Sequence, residues 1–382
     1  MSGMALAKPE RDQRLDVVKG ILQLTIFAKH IGFSFIGGWV IHSNWGFSDS
    51  SELFVLLSGF TLGSVYTLKQ RRDGWWMATR DMLGRALRLY RTHLLVFALF
   101  GLMIAIACIW MLVPGESERL GWGRVLATPL EVLPGILLML HQPAFMGILP
   151  TFIWGMLLLP GFALLWSRVG DWAILAPVGL YVLVQVSGVA VPGVEYDPLA
   201  WQVLFLGGAW LGRRALLRGR ALALPVRWAR VLTAGAVALL LGALAVRVAL
   251  LGALPEYALW AAPFAQPGWI TEKADLPVSA LLHALALAWL VSRFVPRTAG
   301  WMHARGVSWL AVIGRHSLEV FCLGLFVSWG ATQALRLAPA SWAVDIGVTV
   351  GGALVLGLWA RWLDERGVRR VTIARNAAPA GP

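Results

Sequence analysis

Charge is what this sequence has least of. Asp, Glu, Lys and Arg make up 14% of the 382 residues, against about 25% in a soluble domain. A chain of this length with so few charges cannot cover a globular surface, which excludes an ordinary soluble enzyme and makes lipid its natural solvent. Cysteine is nearly absent, with Cys108 and Cys322 alone. Both lie in apolar runs and no CxxC spacing exists, so neither a disulfide framework nor a cysteine metal site is expected, and no metal is called for. Each reads as a small packed apolar residue. The first apolar run lacks a small-residue cleavage site, so no cleavable signal peptide is expected. No internal repeat is visible, which removes the usual sign of an inverted-repeat transporter.

What remains is apolar and basic. Hydrophobic residues reach 58%, Trp alone contributes 21, and Lys and Arg outnumber Asp and Glu by 33 to 20, for a net charge of +13. Trp favours the membrane–water interface, where its ring is buried and its N–H is wet. Nucleic acid is not a partner on this reading, because the basic residues are not gathered on one polar domain. They sit in short bursts between apolar runs, as the positive-inside rule places them in cytoplasmic loops.

A spanning helix needs about 20 mostly apolar residues. The sequence predicts an all-α, polytopic integral membrane helix bundle of about ten transmembrane helices. They fall near 17–41, 51–69, 93–113, 147–166, 171–190, 199–212, 229–253, 277–295, 307–331 and 342–360. Lys8, Arg11, Arg14 and Lys19 put the N-terminus in the cytoplasm, and each later basic burst then falls on that same side, the densest being Arg213, Arg214, Arg218 and Arg220. The run 132–140, broken by Pro134, is too short to span and reads as a re-entrant or interfacial piece on the outer side. The loops 191–198 and 255–275 are expected outside. In domain terms, 1–16 is a cytoplasmic leader, 17–362 the membrane domain and 363–382 a basic cytoplasmic tail with a disordered end.

Ionisable residues inside spans are costly and mark functional candidates. Lys29 and His30 lie near the middle to outer half of the first span. Snorkelling of Lys29 and packing of His30 is the bland alternative; proton transfer by His30 is the functional one. The stretch GFSDSSELFVLLSG over 46–59 carries Asp49 and Glu52 on one helical face. Asp49 and Ser48 could equally cap the helix, whereas Glu52 is deeper. Ser58 and Gly59 permit close helix approach. Arg85, Arg88 and Arg91 recur along one face of a basic stretch, suited either to anionic lipid headgroups or to the phosphates of a donor. Arg315, His316 and Glu319 open the ninth span, as helix-end residues or as part of a site.

At these residues the sequence resembles the OpgC family. The likeness is carried by RDQRLDVVKG over 11–20, His30 and the 46–59 stretch. ILP at 148–150, DPLAWQVLF at 197–205 and GRHSL at 314–318 support it. OpgC-like proteins are multispanning inner-membrane proteins linked to succinylation of osmoregulated periplasmic glucans, and are similar in turn to type-3 membrane acyltransferases. In those, a basic residue and a histidine with ten residues between them mark the first helix, and Lys19 and His30 have that spacing here. The resemblance implies that His30 is the catalytic residue, and Asp49 and Glu52 are the carboxylate candidates to act with it. It implies that Lys19, Arg85, Arg88 and Arg91 hold the donor, and that Ser58, Trp201, Arg315 and His316 bind substrate. Where the family usually has Asp before the histidine, this chain has Lys29, so a carboxylate to orient His30 must come from elsewhere, with Glu52 the candidate.

The implied activity is a membrane O-acyltransferase in the bacterial inner membrane. It moves an acyl group, succinyl among the candidates, from a cytoplasmic acyl-CoA to a hydroxyl of a periplasmic glucan or other extracytoplasmic glycan. No cofactor is permanently bound: acyl-CoA is the donor substrate. The partners are the bilayer, the donor, the glycan acceptor and the glucan synthesis or export machinery. Two other classes compete: a glycan or lipid-precursor transporter or flippase, which would leave its substrate unmodified, and a non-catalytic membrane partner of a glycan synthase.

Overall fold

The computed structural model describes residues 12–41, 44–110, 113, 115–250, 274–296 and 299–377, with the backbone alone for Val40, His303 and 368–377. Lys8, Arg11, Pro114, Arg297, nearly all of the expected outer loop 255–275 and the chain end at 378–382 lie outside the described residues. Helices follow one another as α1 (Gln13–His30), α2 (Phe35–Val40), α3 (Ser50–Ile109), α4 (Glu116–Arg119), α5 (Gly123–Ala127), α6 (Pro129–Leu137) and α7 (Ile148–Val169). After them come α8 (Leu175–Ser187), α9 (Pro198–Arg218), α10 (Val226–Leu250), α11 (Val278–Phe294), α12 (Arg305–Arg315), α13 (Ser317–Leu337) and α14 (Trp342–Ala377). There is no strand among the described residues.

Five helical stretches are long and apolar enough to cross a membrane: 50–109, 148–187, 226–250, 317–337 and 342–367. Two of them are bipartite. Gly74, with a φ of 84° that only glycine adopts cheaply, divides α3, and a 3₁₀ turn at Gly170–Ile174 separates α7 from α8. The first part of α3, residues 50–73, is about 36 Å long at ~1.5 Å per residue, enough for a hydrocarbon core of about 30 Å. α11 is apolar but shorter. α1 and α9, both expected spans, fall outside the same criterion, and both carry polar candidates for the site.

The chain divides into two compact units. The first comprises the described residues of 47–288. In it α3 and α9 run parallel and touch through small residues. A Cβ on Gly59 would overlap the Phe205 carbonyl, and one on Gly208 the Leu56 carbonyl. Backbones this close gain dispersion contacts that larger side chains would prevent. α7 closes on the pair, with Phe152 edge-on to Phe54 at 5.5 Å. α9 starts cleanly because Asp197 caps it and Pro198 occupies its first position. The segment holding α4 to α6 packs back on the second part of α3: the ring of Trp122, fully buried, lies tilted at 4.6 Å from that of Phe97, and Tyr90 Oη donates to the Leu137 carbonyl at 2.9 Å. Residues 132–137 of the 132–140 run are the last part of a nine-residue helix, α6.

The second unit comprises 11–46 and 289–382. α1 and α12 cross antiparallel through Gly20, against the Leu310 carbonyl, and Gly314, against the Asp16 carbonyl. A core of Phe27, Ile31, Ile313, Val320, Leu335 and Leu356 joins them to α13 and α14.

Two expected spans differ in detail. The span read at 17–41 is two helices, because α1 stops at His30 and Phe33 adopts a positive φ of 65°. The span read at 307–331 is also two, α12 and α13, parted at His316. The basic stretch 80–91 is helical, as the single face of its arginines requires, and runs on in the helix that continues to Ile109.

Candidate functional site

The family-like first helix begins on a local clamp. Asp12 caps α1 by accepting from Arg14 N, and Arg14 returns Nε and Nη2 to the same carboxylate at 2.9 and 2.8 Å. Its Nη1 reaches the Val295 carbonyl at 2.6 Å, which fixes the entry angle of α1 within its unit. From there Asp16, Lys19, Gln23 and His30 fall within about 60° of one another around the axis, at ~100° per residue. Lys19 and His30 are about three turns and ~16 Å apart on that face. Both are half-buried. Gln23, one turn beyond Lys19, is 2% exposed and its amide nitrogen has no partner among the described residues. A buried amide N–H without an acceptor is costly in a native structure and asks for an explanation.

His30 is the last residue of α1. Its ring meets Phe321 edge-on at 6.4 Å. The chain that follows is pinned by two long-range partners. Gly32 N donates to Thr332 Oγ1 at 2.9 Å. Asp345, 4% exposed, accepts from Ser34 Oγ at 2.7 Å, Phe35 N at 2.8 Å and Ile36 N at 3.1 Å. Asp345 thereby fills the capping role that the first N–H groups of α2 require, and holds the turn directly after His30.

Arg315 and His316 lie elsewhere in this unit. Both engage Asp364, at 2.9 and 3.3 Å. Gly314 beside them packs on Asp16 and Gly20, so they are level with Lys19, roughly 15 Å down the axis from His30. The two residues therefore join the Lys19 end, and the structure does not group them with the histidine.

In the other unit Asp49 and Glu52 form a capping box on α3: Asp49 N donates to Glu52 Oε2 at 2.8 Å and Asp49 accepts from the helix N-terminus. The bland reading of Asp49 is thus realised, and Glu52 joins it. Both are buried. Beside them Ser48 Oγ sits 2.7 Å from Nδ1 of His283 on α11, and His283 is 3% exposed. The result is a buried polar knot of a serine, a histidine and two carboxylates. Ser58 lies half-buried next to the α3–α9 crossing. Trp201 is fully buried, donates Nε1 to the Ala274 carbonyl at 3.1 Å and packs edge-on to Tyr196.

At the far end of α3's first part, Asp81 links Lys69 at 3.1 Å and Arg85 at 3.0 Å. Burial would raise the Asp81 carboxyl, but hydrogen bonds from Arg85 and Lys69, with their charges, hold it below the usual carboxylate range. Arg88 and Arg91 are exposed. The Asp49–Glu52 box and Lys69 are separated by about 26 Å of helix, close to a bilayer's core.

Sequence reasoning missed His283, Asp345, Thr332 and Gln23. A lone histidine or aspartate inside an apolar run (LLHALAL, AVDIGV) was the available signal. No group of three or more potential metal ligands exists among the described residues.

The family model described as OpgC protein matches residues 11–367. No curated protein and no solved structure matches the chain.

Proposed function

The chain belongs to the OpgC family, and from that premise we propose that it is a polytopic inner-membrane O-acyltransferase. In this reading it has about ten spans, both ends lie in the cytoplasm, and it acylates an extracytoplasmic glucan from a cytoplasmic acyl-CoA. The observation that carries the reading is the polar face of α1. It sets Lys19 toward one end and His30 at the other, with an unpartnered buried amide between them. A transporter needs no fixed histidine at the end of a basic–polar track, whereas acyl transfer needs a cation for the donor and a base for the acceptor at separate depths.

The chemistry follows from what each group can do. The imidazole of His30 takes the proton from the acceptor hydroxyl as its oxygen attacks the thioester carbonyl. The C–O bond forms, the C–S bond breaks, and the imidazolium returns its proton to the departing thiolate. In an acyl-histidine relay an acyl C–N bond to His30 forms as the C–S bond breaks and the thiol leaves, and that C–N bond then breaks as the acceptor oxygen forms the C–O bond and gives up its proton. Gln23 N–H is a donor for an oxygen of the bound donor, and Ser58 or backbone N–H groups are further candidates for the developing oxyanion. Lys19, Arg85, Arg88 and Arg91 supply charge to donor phosphates. Arg315 and His316, level with Lys19, fit that end better than the glycan. The capping box of Asp49 and Glu52 with His283 holds the start of α3 and is the second buried polar centre available to the acceptor.

The test is reconstitution in proteoliposomes with an acyl-CoA and a glucan, following free thiol. Thiol release that depends on the glucan supports the enzyme. Glucan uptake without thiol release supports the transporter and overturns the proposal.

A further inference from the structure

We infer that Arg213, Arg214 and Arg218, gathered around Asp171, form with Arg71, whose charge acts on Arg213, a binding site for a phosphate ester, supplied either by a nucleotide such as the acyl donor's or by an anionic lipid headgroup. Three guanidinium groups share one carboxylate. Arg213 Nη1 lies 3.3 Å from Asp171 Oδ1, while Arg214 Nη1 and Arg218 Nη2 lie 2.5 and 2.6 Å from Oδ2. One negative charge cannot balance them, and Arg71 beside them makes no ion pair of its own among the described residues. Surplus charge at a solvated face is ordinary; here it is partly withdrawn from water. The Arg213 and Arg214 side chains are 17% and 14% exposed. Burial lowers the Arg213 pKa, Asp171 opposes that, and the Arg218 and Arg71 charges push it lower again.

The arrangement is also built rather than loose. Arg213 lies over the Trp166 ring at 5.6 Å and Arg214 over Trp210 at 4.8 Å, contacts that fix guanidinium planes. Arg214 Nε is held by the Ala221 carbonyl at 2.9 Å, and Trp210 Nε1 by the Asp171 carbonyl at 3.1 Å. Arg218, 54% exposed, and the exposed Arg71 form the open side. A phosphate presents several acceptor oxygens and at least one full negative charge, which complements forked, pre-oriented guanidiniums better than a second carboxylate would. The basic burst read from sequence as a topology marker is thus a shaped site on α3, the 3₁₀ turn and α9.

The inference rests on the acyltransferase reading only in naming the nucleotide as one source, and its test requires no turnover. Full-length protein in nanodiscs is titrated with coenzyme A, first in phosphatidylcholine. Phosphatidylglycerol retained through detergent exchange is then counted by native mass spectrometry. Arg71→Gln and the double variant Arg213→Gln/Arg218→Gln are compared with Arg230→Gln, a charge-matched control on exposed α10. A loss of about tenfold or more in coenzyme A affinity in the site variants, absent in the control, establishes the site with a nucleotide as its source, since each charge-assisted hydrogen bond is worth at least that much. Unchanged or absent coenzyme A binding with lost phosphatidylglycerol establishes it with lipid as its source and removes this face from the acyl-donor reading. Neither change, or an equal change in the control, overturns it. Arg71 is exposed, so its variant keeps the test valid should the double variant misfold.

Discussion

Replacing Asp345 by Ala removes the carboxylate that holds the turn after His30. Three donors lose their acceptor: Ser34 Oγ, Phe35 N and Ile36 N. Each hydrogen bond to a charged group is worth about 1.5–3 kcal/mol, but members of one network do not add, so the local cost is about 3 kcal/mol. At ~1.4 kcal/mol per tenfold, this is roughly a hundredfold loss of protection for amides in the 34–37 region, against little change in α9 of the other unit. Hydrogen exchange read by mass spectrometry in detergent measures it. Asp345→Asn keeps one carbonyl acceptor and is expected to lose about half as much in free energy. Because the pinned turn begins one residue after His30, acyl transfer is expected to fall through kcat, with the donor KM unchanged. Unaltered exchange at 34–37 in the Ala variant would refute the claim that Asp345 fixes this turn; altered exchange with unchanged kcat would refute its link to His30.

Three further outcomes follow from individual residues. Asp81→Asn is expected to lower the unfolding midpoint by a contribution under about 1 kcal/mol. Because the folded carboxyl lies below its ordinary value, that difference is present above about pH 4 and vanishes as pH falls through the lower folded value; a difference that grows with acid contradicts the ion-pair assignment. Trp201→Phe forfeits the bond to the Ala274 carbonyl and is expected to cost about 1–2 kcal/mol in thermal unfolding with no change in glucan KM, whereas a raised KM would return Trp201 to the substrate. Gln23→Leu removes a buried unpaired donor, so stability is expected to hold or rise by up to about 1 kcal/mol while acyl transfer falls. A variant that loses stability and keeps activity would make Gln23 a packing residue.

The sequence made the helical membrane character legible because composition and hydropathy report on solvent, and solvent dictates helices. The Asp49 cap was legible as well, since it acts on backbone one to three residues away. Breaks inside apolar runs were not. Hydropathy is blind to the positive φ of Phe33 and to the turn at His316, where composition stays apolar while the backbone changes direction. Long-range polar partners were equally hidden: Asp345 serves a turn near the other end of the chain, and His283 serves Ser48. The arginines at 213, 214 and 218 were visible as charge, but their convergence on Asp171 depends on how α9 packs against the turn before α8.

The most direct measurement of the central claim is mass spectrometry of extracytoplasmic glycans from a host lacking its own glycan acyltransferase, expressing wild type or His30→Ala at equal inserted levels. The account predicts an acyl mass increment with wild type and none with the variant, and the increment names the acyl group. An increment that persists in His30→Ala, or none with correctly inserted wild type, would contradict it.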